Sequence, residues 1–123
     1  MPAEDENTTP IDCENSNISR DVGDMSDERV RADTAVFSAL ANDTRYQILR
    51  LVISADNRVC GCELEPHLEV GQSSISQSLS HLHDAGLLSR TKEGRWRYYE
   101  ATEIAEKLIE VLDKNHRVST ITA

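Results

Sequence analysis

Apolar residues recur at helical spacing over two stretches in the first half of the chain. The first stretch follows Ser26, a candidate N-cap with acidic residues behind it, and contains Val30, Thr34, Phe37 and Leu40. The second follows Asn42 or Asp43, and one stripe of a 3.6-residue helix contains Ile48, Leu49, Val52 and Ile53. Because Asp56-Asn57 is typical of a turn, this second helix should end near Ala55.

The pattern predicts two more helices in the middle of the chain. A short third helix should run from about Cys62 to Leu68, although Pro66 lacks an amide donor and is tolerated only in a first turn. A fourth helix, Ser74 to Ala85, should be capped by Ser73 and stopped by Gly86. Its inward stripe contains Ile75, Leu79 and Leu82.

A hairpin and a last helix complete the predicted fold. The β-prone runs Leu87 to Thr91 and Arg95 to Ala101 flank Lys92-Glu93-Gly94. Thr102 should cap a helix to about His116, whose predicted inward residues are Ile104, Leu108, Val111 and Leu112. The order predicts a winged helix-turn-helix, mainly α with a small β-hairpin, over residues 26–117.

Composition adds an acidic tail and bounds the class of protein. The chain has 123 residues, of which 38% are hydrophobic, enough for one small domain. Residues 1–25 are polar and acidic and are predicted to be disordered, and residues 118–123 form a short C-terminal tail. The start of the chain is acidic where a signal peptide would be basic, and no apolar run is long enough for a bilayer. We therefore expect a cytoplasmic protein with no membrane partner.

The formal net charge of -9 argues against binding to nucleic acid, but the charge is unevenly distributed. Residues 1–33 carry a net charge of -7, whereas the segment from Gln72 to Tyr99 carries +2 before its histidines are counted. Only three of the 13 basic residues are lysines, against 22 acidic residues, a pattern that resembles proteins of halophiles. The alternative is an acidic tail on a mesophilic protein.

The fourth helix and the hairpin carry side chains suited to DNA. One helix can enter the major groove with short polar groups, while the cations of a hairpin reach the flanking phosphates. The candidate DNA-binding residues are Gln72, Ser73, Ser74, Ser76, Gln77, His81, Lys92, Arg95 and Arg97. The alternative for the cations is an ordinary solvated hairpin.

The cysteines are Cys13, Cys60 and Cys62, an odd number that does not favour a disulfide framework. No second pair of cysteine or histidine ligands completes a zinc finger. Residues two apart in an α-helix point in nearly opposite directions, so the two thiols around Gly61 can meet one ion only on extended or distorted backbone. They could instead be small buried hydrophobic residues.

Three segments closely resemble the ArsR/SmtB family of metal-responsive bacterial and archaeal repressors: ALANDTRYQILRLV, VCGCEL and QSSISQSLSHLHDAGLLSRTKEGRWRYYE. The resemblance covers about Val30 to His116 and implies a homodimer that represses its operon until an inducer binds. It places the dimer interface on the first and last helices, so Phe37, Leu108 and Leu112 are buried either between subunits or in the monomer core. Family members often have basic residues at the positions of Gln77 and Ser80, so the phosphate contacts of this chain should be weaker than theirs.

The resemblance also implies a soft-metalloid site at Cys60 and Cys62. Arsenite and antimonite favour three thiolates, but the usual third position is occupied here by Glu65. Cadmium and lead sensors of the family recruit a cysteine from the N-terminal tail, so Cys13 is the candidate third ligand, the alternative being an idle tail residue. The second metal site of the family is not expected here, and His67 is expected on the surface.

These observations predict a repressor that binds a palindromic double-stranded DNA operator without any cofactor. As(III) or Sb(III) is the expected inducer, with Cd, Pb or Zn as alternatives. Two rival functions are a winged-helix regulator with a cysteine redox switch, and a metal-buffering or protein-interaction module that binds no operator. An enzyme is not expected, because no nucleophile with a base, paired carboxylates or phosphate-binding glycine loop is found.

Overall fold

The computed structural model describes residues 16–18 and 21–116. The described residues leave out most of the predicted tail of residues 1–25, including Cys13. They also leave out the C-terminal segment 118–123. No helix in the described part of the chain is long and apolar enough to cross a membrane.

The first two helices are α1, Asp27–Leu40, and α2, Asp43–Ser54. Both begin at a side-chain cap, as predicted: Ser26 accepts a hydrogen bond from the Arg29 amide, and Asn42 accepts one from the Arg45 amide. Ile48, Leu49 and Val52 of α2 are buried, and Ile53 is half-buried.

The predicted third helix is wrong in form. After α2 the chain makes a short strand, β1, Val59–Cys60, and then two single-turn 3₁₀ helices, Gly61–Glu63 and Glu65–His67. Pro66 lies in the second turn and cannot supply the amide that a continuous α-helix requires there. The result is a compact segment in which Leu64 is buried.

Helix α3, Gln72–Asp84, is the predicted fourth helix, and Ile75, Leu79 and Leu82 are buried as expected. It begins earlier than predicted, because the N-cap is Gly71 rather than Ser73, and the Ile75 amide closes the first turn on the Gly71 carbonyl. Gly86 follows with φ of 85°, a conformation that strongly favours glycine and ends the helix.

The hairpin consists of β2, Leu88–Glu93, and β3, Trp96–Ala101, joined by Gly94 and Arg95. The turn therefore lies slightly later than predicted, and Gly94 has φ of 63°. The sheet also contains β1, which the sequence did not predict, in the order β1-β3-β2 with antiparallel pairing throughout.

Helix α4, Glu103–Lys114, follows Thr102 as predicted, although the Thr102 hydroxyl donates to the Gly86 carbonyl instead of capping the helix. Its predicted inward face is wrong. Ala105 and Ile109 are the buried residues, Leu108 is half-buried against the core, and three predicted inward residues are exposed: Ile104, Val111 and Leu112.

Candidate nucleic-acid interface and thiol pair

Helix α3 is fixed on one side and polar on the other. Ile75 and Leu82 have no exposed surface and Leu79 is 2% exposed, so the core holds the helix firmly. All six predicted DNA-binding residues of this helix are exposed: Gln72, Ser73, Ser74, Ser76, Gln77 and His81. The exposed face carries no lysine or arginine, so it offers hydrogen-bonding groups with little charge.

The wing, defined as residues 88–101, carries the positive charge. Lys92, Arg95 and Arg97 are all exposed, and Lys92 lies directly opposite Arg97 in the hairpin register. Like charges in this position destabilise a hairpin. An anion such as a phosphate group would relieve that repulsion, so the arrangement suits a phosphate contact more than an ordinary solvated hairpin.

Cys60 and Cys62 share one open groove with the start of α3 and the wing. The groove has a volume of about 580 Å³, and Gln72, Lys92 and Arg95 contribute to its lining. The structure therefore brings together the two predicted sites. The rest of the exposed face of α3, with Ser74, Gln77 and His81, lies along a separate small groove beside α2.

The two thiols are already in contact. Cys60 Sγ and Cys62 Sγ are 2.9 Å apart and share a hydrogen bond. This contact is possible because Cys60 is extended, with φ of -94° and ψ of 151°, and the 3₁₀ turn begins at Gly61. Cys62 is exposed and Cys60 half-buried, so the interpretation of both as buried hydrophobic residues is wrong.

The surroundings of the pair raise the pKa of Cys62. The hydrogen bond with Cys60 raises the pKa of the Cys62 thiol, and burial and the nearby charges of Cys60 and Glu63 raise it further. The Glu63 carboxylate also accepts a hydrogen bond from the Cys60 amide at 3.1 Å, which holds the carboxylate close to the pair. At neutral pH the Cys62 group is therefore a thiol, and a bound ion must displace its proton.

One hydrogen bond connects the thiol pair to α3. Gln72 Nε2 donates to the carbonyl of Gly61, the residue between the cysteines, at 3.4 Å, and to Glu65 Oε1 at 3.0 Å. A Cβ on Gly61 would lie 3.4 Å from Leu79 Cδ1, so the backbone here packs closely on the helix. Glu65, at the position of the usual third thiol, therefore binds the first residue of α3.

The third ligand is not found among the described residues. Within residues 16–18 and 21–116, no three cysteine, histidine or acidic side chains form a group that could hold a metal ion. His67 is exposed, as predicted, and Cys13 lies outside the described residues.

Apolar side chains are exposed on the two helices that the resemblance assigned to a dimer interface. Phe37 of α1 is 66% exposed, and Leu112 of α4 is 50% exposed, so neither belongs to the core of the monomer. Leu108 packs against that core in part.

Sequence reasoning missed Arg58, which contacts the wing. Its guanidinium donates to Glu93 Oε1 at 2.8 Å and lies 4.3 Å from the centroid of the Tyr98 ring. No local signal could reveal this role, since Glu93 lies 35 residues further along the chain. Trp96, which is 53% exposed at the tip of the wing, was also missed, although an aromatic residue between two arginines was a visible signal.

Comparison with known sequences identifies the family. A family model described as "Bacterial regulatory protein, arsR family" matches residues 42–90. A putative arsenical resistance operon repressor of Halobacterium salinarum, ArsR2, is 50% identical over 74% of this chain and 76% of the relative. A second one from the same organism, ArsR, is 46% identical over 72% of this chain and 68% of the relative.

Solved structures agree with the sequence relatives. Reduced HlyU from Vibrio cholerae superposes with a TM-score of 0.60 at 30% identity, covering 72% of this chain and 93% of that one. An ArsR-like transcriptional regulator from Rhodococcus sp. RHA1 gives a TM-score of 0.57 at 26% identity, covering 76% of this chain and 92% of that one. These proteins are regulators rather than enzymes, as expected, and the winged helix-turn-helix prediction is confirmed. The chain belongs to the arsR family of transcriptional regulators.

Proposed function

We propose that the chain is a cytoplasmic repressor that binds a palindromic DNA operator as a homodimer and leaves it when arsenite or antimonite binds Cys60 and Cys62. The names of the two Halobacterium relatives support the arsenical assignment. The exposed apolar side chains of α1 and α4, including Phe37 and Leu112, support a dimer. Two α3 helices would then lie about 34 Å apart, one turn of DNA.

In this proposal α3 contacts the bases and the wing contacts the phosphates. Gln77 and the exposed serines of α3 contact base edges, because amide and hydroxyl groups match the donors and acceptors of the major groove. Lys92, Arg95 and Arg97 contact phosphates. If the cytoplasm is saline, as the acidic composition and the relatives favour, counterion release adds little affinity and base contacts carry more of it.

The thiol pair suits a soft metalloid. Neutral arsenous acid exchanges two hydroxides for the two sulfurs, and each thiol proton leaves with a hydroxide as water, so two waters are released. Cys13 is the proposed third ligand, and its exchange would release a third water. Binding does not need to draw the pair together, contrary to what the sequence suggested, since the sulfurs already lie 2.9 Å apart. Cys60 and Cys62 would hold the metalloid, and two sulfurs bonded to one atom without bonding to each other lie farther apart than 2.9 Å, so binding should spread the pair instead.

The observation that carries the proposal is the hydrogen bond from Gln72 to the carbonyl of Gly61, between the two cysteines. In this proposal, spreading Cys60 and Cys62 moves Gly61 between them, which is in close contact with α3. Binding of the inducer to the cysteines and binding of the operator to α3 then favour different positions of the segment Cys60–Cys62, so each weakens the other. Coupling of this kind is typically about 1–3 kcal/mol, or about 5- to 150-fold in affinity.

The experiment compares operator affinity with and without arsenite for the wild type, Cys60→Ser and Cys13→Ser, in high-salt buffer with the DNA upstream of the gene. We expect arsenite to weaken binding of the wild type about 5- to 150-fold and to leave Cys60→Ser bound. Arsenite release of Cys60→Ser equal to that of the wild type would contradict the site. An unchanged response of Cys13→Ser would place the third ligand elsewhere. Absence of operator binding by the wild type would favour a buffering or interaction module.

A redox switch is the second candidate, because thiols in contact can be oxidised to a disulfide. One peroxide would take two electrons and two protons from the pair and yield two waters. This candidate predicts that peroxide releases the operator and that a thiol reductant restores binding, with arsenite having no effect on the oxidised protein.

A further inference from the structure

Arg58 lies where the cysteine segment and the wing meet. It precedes Cys60 by two residues, and its side chain is 33% exposed. It donates to Glu93 at the end of β2 and stacks on Tyr98 of β3, so one side chain holds both strands of the wing. A cation that both stacks on an aromatic ring and forms an ion pair with a carboxylate contributes more stabilising free energy than an exposed ion pair alone.

The sheet register places these groups on one face. Cys60 pairs with Tyr98, and Glu93 pairs with Trp96 at the tip of the wing. Because side chains alternate along a strand, Cys60, Tyr98 and Trp96 point to the same side of the sheet, while Tyr99 points into the core. The guanidinium of Arg58 therefore lies on the face from which the Cys60 thiol projects.

The core does not fix the tip of the wing. All six residues from Lys92 to Arg97 are exposed, and the like charges of Lys92 and Arg97 repel each other across the turn. Among the contacts described for this tip, the ion pair with Arg58 is the one that reaches beyond the hairpin. The angle of the wing relative to α3 is therefore sensitive to a single side chain.

Building on the proposed repressor function, we propose that Arg58 is a positioning residue that sets the wing for phosphate contact and carries a second signal from the thiol pair to the DNA. Because Arg58 lies two residues before Cys60, movement of Cys60 shifts Arg58. The contacts of Arg58 with Glu93 and Tyr98 are then lost, and the orientation of the wing relative to α3 changes. The pair then acts on both halves of the DNA-binding surface, on α3 through Gln72 and on the wing through Arg58.

Charge distinguishes this role from direct phosphate contact. If Arg58 only attracted DNA, then Glu93→Gln would remove a nearby negative charge and strengthen operator binding. If Arg58 positions the wing, Glu93→Gln breaks the same contact as Arg58→Gln and weakens binding. The two variants should each weaken it about threefold to tenfold, and the double variant should be no weaker than Arg58→Gln.

The test measures operator affinity of the full chain for Arg58→Gln, Glu93→Gln, the double variant and Arg58→Lys, with Arg29→Gln as a control that loses a charge and an ion pair on α1. Trp96, the one tryptophan of the chain, reports the wing without DNA through its fluorescence anisotropy. We expect higher Trp96 mobility and a smaller arsenite effect in both single variants, unchanged thermal unfolding, and a partial defect in Arg58→Lys.

Stronger operator binding by Glu93→Gln, or unchanged Trp96 anisotropy in Arg58→Gln, would overturn the proposal while leaving the repressor function intact. Full activity of Arg58→Lys would also overturn it, because charge alone would then suffice. If the wild type binds no operator, the repressor function fails, and with it the role in DNA binding; the Trp96 measurement would then test only the wing contact.

Discussion

The start of helix α3 shares one groove with the wing, but the helix and the wing are held in different ways. Helix α3 is anchored by Ile75, Leu79 and Leu82, none of which is more than 2% exposed. The tip of the wing, residues 92–97, has no buried residue, and Arg58 contacts it through Glu93. This difference supports the proposal that the packed helix α3 contacts the bases, while the polar wing contacts the phosphates.

The cysteine segment touches both regions, and its chemistry gives the largest expected effect. Arsenous acid releases water and no net proton when it bonds to two thiols, so its affinity should be nearly constant between pH 6 and 8. The raised pKa of Cys62 extends this range upward, because thiolate forms only at higher pH. A cation such as cadmium displaces one proton from each of the three proposed thiol ligands, so its affinity should rise roughly 1,000-fold per pH unit.

Titrations of both ligands at three pH values test this prediction. In Cys60→Ser the pH dependence of cadmium affinity should fall to roughly 100-fold per unit, since two thiol protons remain. An arsenite affinity that fell tenfold or more per pH unit would show that Cys62 is already a thiolate, because a thiolate must take up a proton before hydroxide can leave as water, and the assigned surroundings of Cys62 would be wrong.

Substitutions in α3 and in the wing should change DNA binding in different ways: one in its sequence specificity, the other in its salt dependence. Gln77→Ala should cost about 1–3 kcal/mol on the operator, little on unrelated DNA, and leave the salt dependence unchanged, because it removes a base contact. Lys92→Gln should weaken binding to every sequence and lower the slope of log affinity against log salt by about one, because it removes a phosphate contact.

Lys114→Gln is the matched control, since Lys114 pairs with Glu110 on α4 away from the groove. Binding measured over a series of salt concentrations gives all three slopes. If Gln77→Ala weakened binding to the operator and to unrelated DNA equally, the assignment of base contacts to α3 and phosphate contacts to the wing would be contradicted.

Local sequence signals predicted much of this fold. The caps at Ser26 and Asn42 and the apolar stripe of α3 depend on neighbouring residues, so they could be read directly. The inward face of α4 could not, because that helix has apolar residues on two sides and only tertiary packing selects Ala105 and Ile109.

The candidate site was predicted in composition but not in geometry. The contact between Cys60 and Cys62 depends on a 3₁₀ turn and on strand β1, whose partner residues lie about 40 positions away in the hairpin. The contacts of Gln72 with Gly61 and of Arg58 with Glu93 likewise join residues that are distant in sequence. No local pattern encodes such pairs.

The arsenite response of Gln72→Ala is the most direct test of the proposed coupling, because Gln72, the first residue of α3, bonds to Gly61 between the two cysteines and to Glu65. The operator affinity of this variant is measured with and without saturating arsenite, and arsenite binding is followed separately by loss of reactive thiols. The ratio of the two affinities cancels any base contact that Gln72 makes itself. We predict that Gln72→Ala binds arsenite like the wild type but that its ratio falls at least several-fold. A ratio equal to that of the wild type would contradict the proposed route from the cysteines to the DNA.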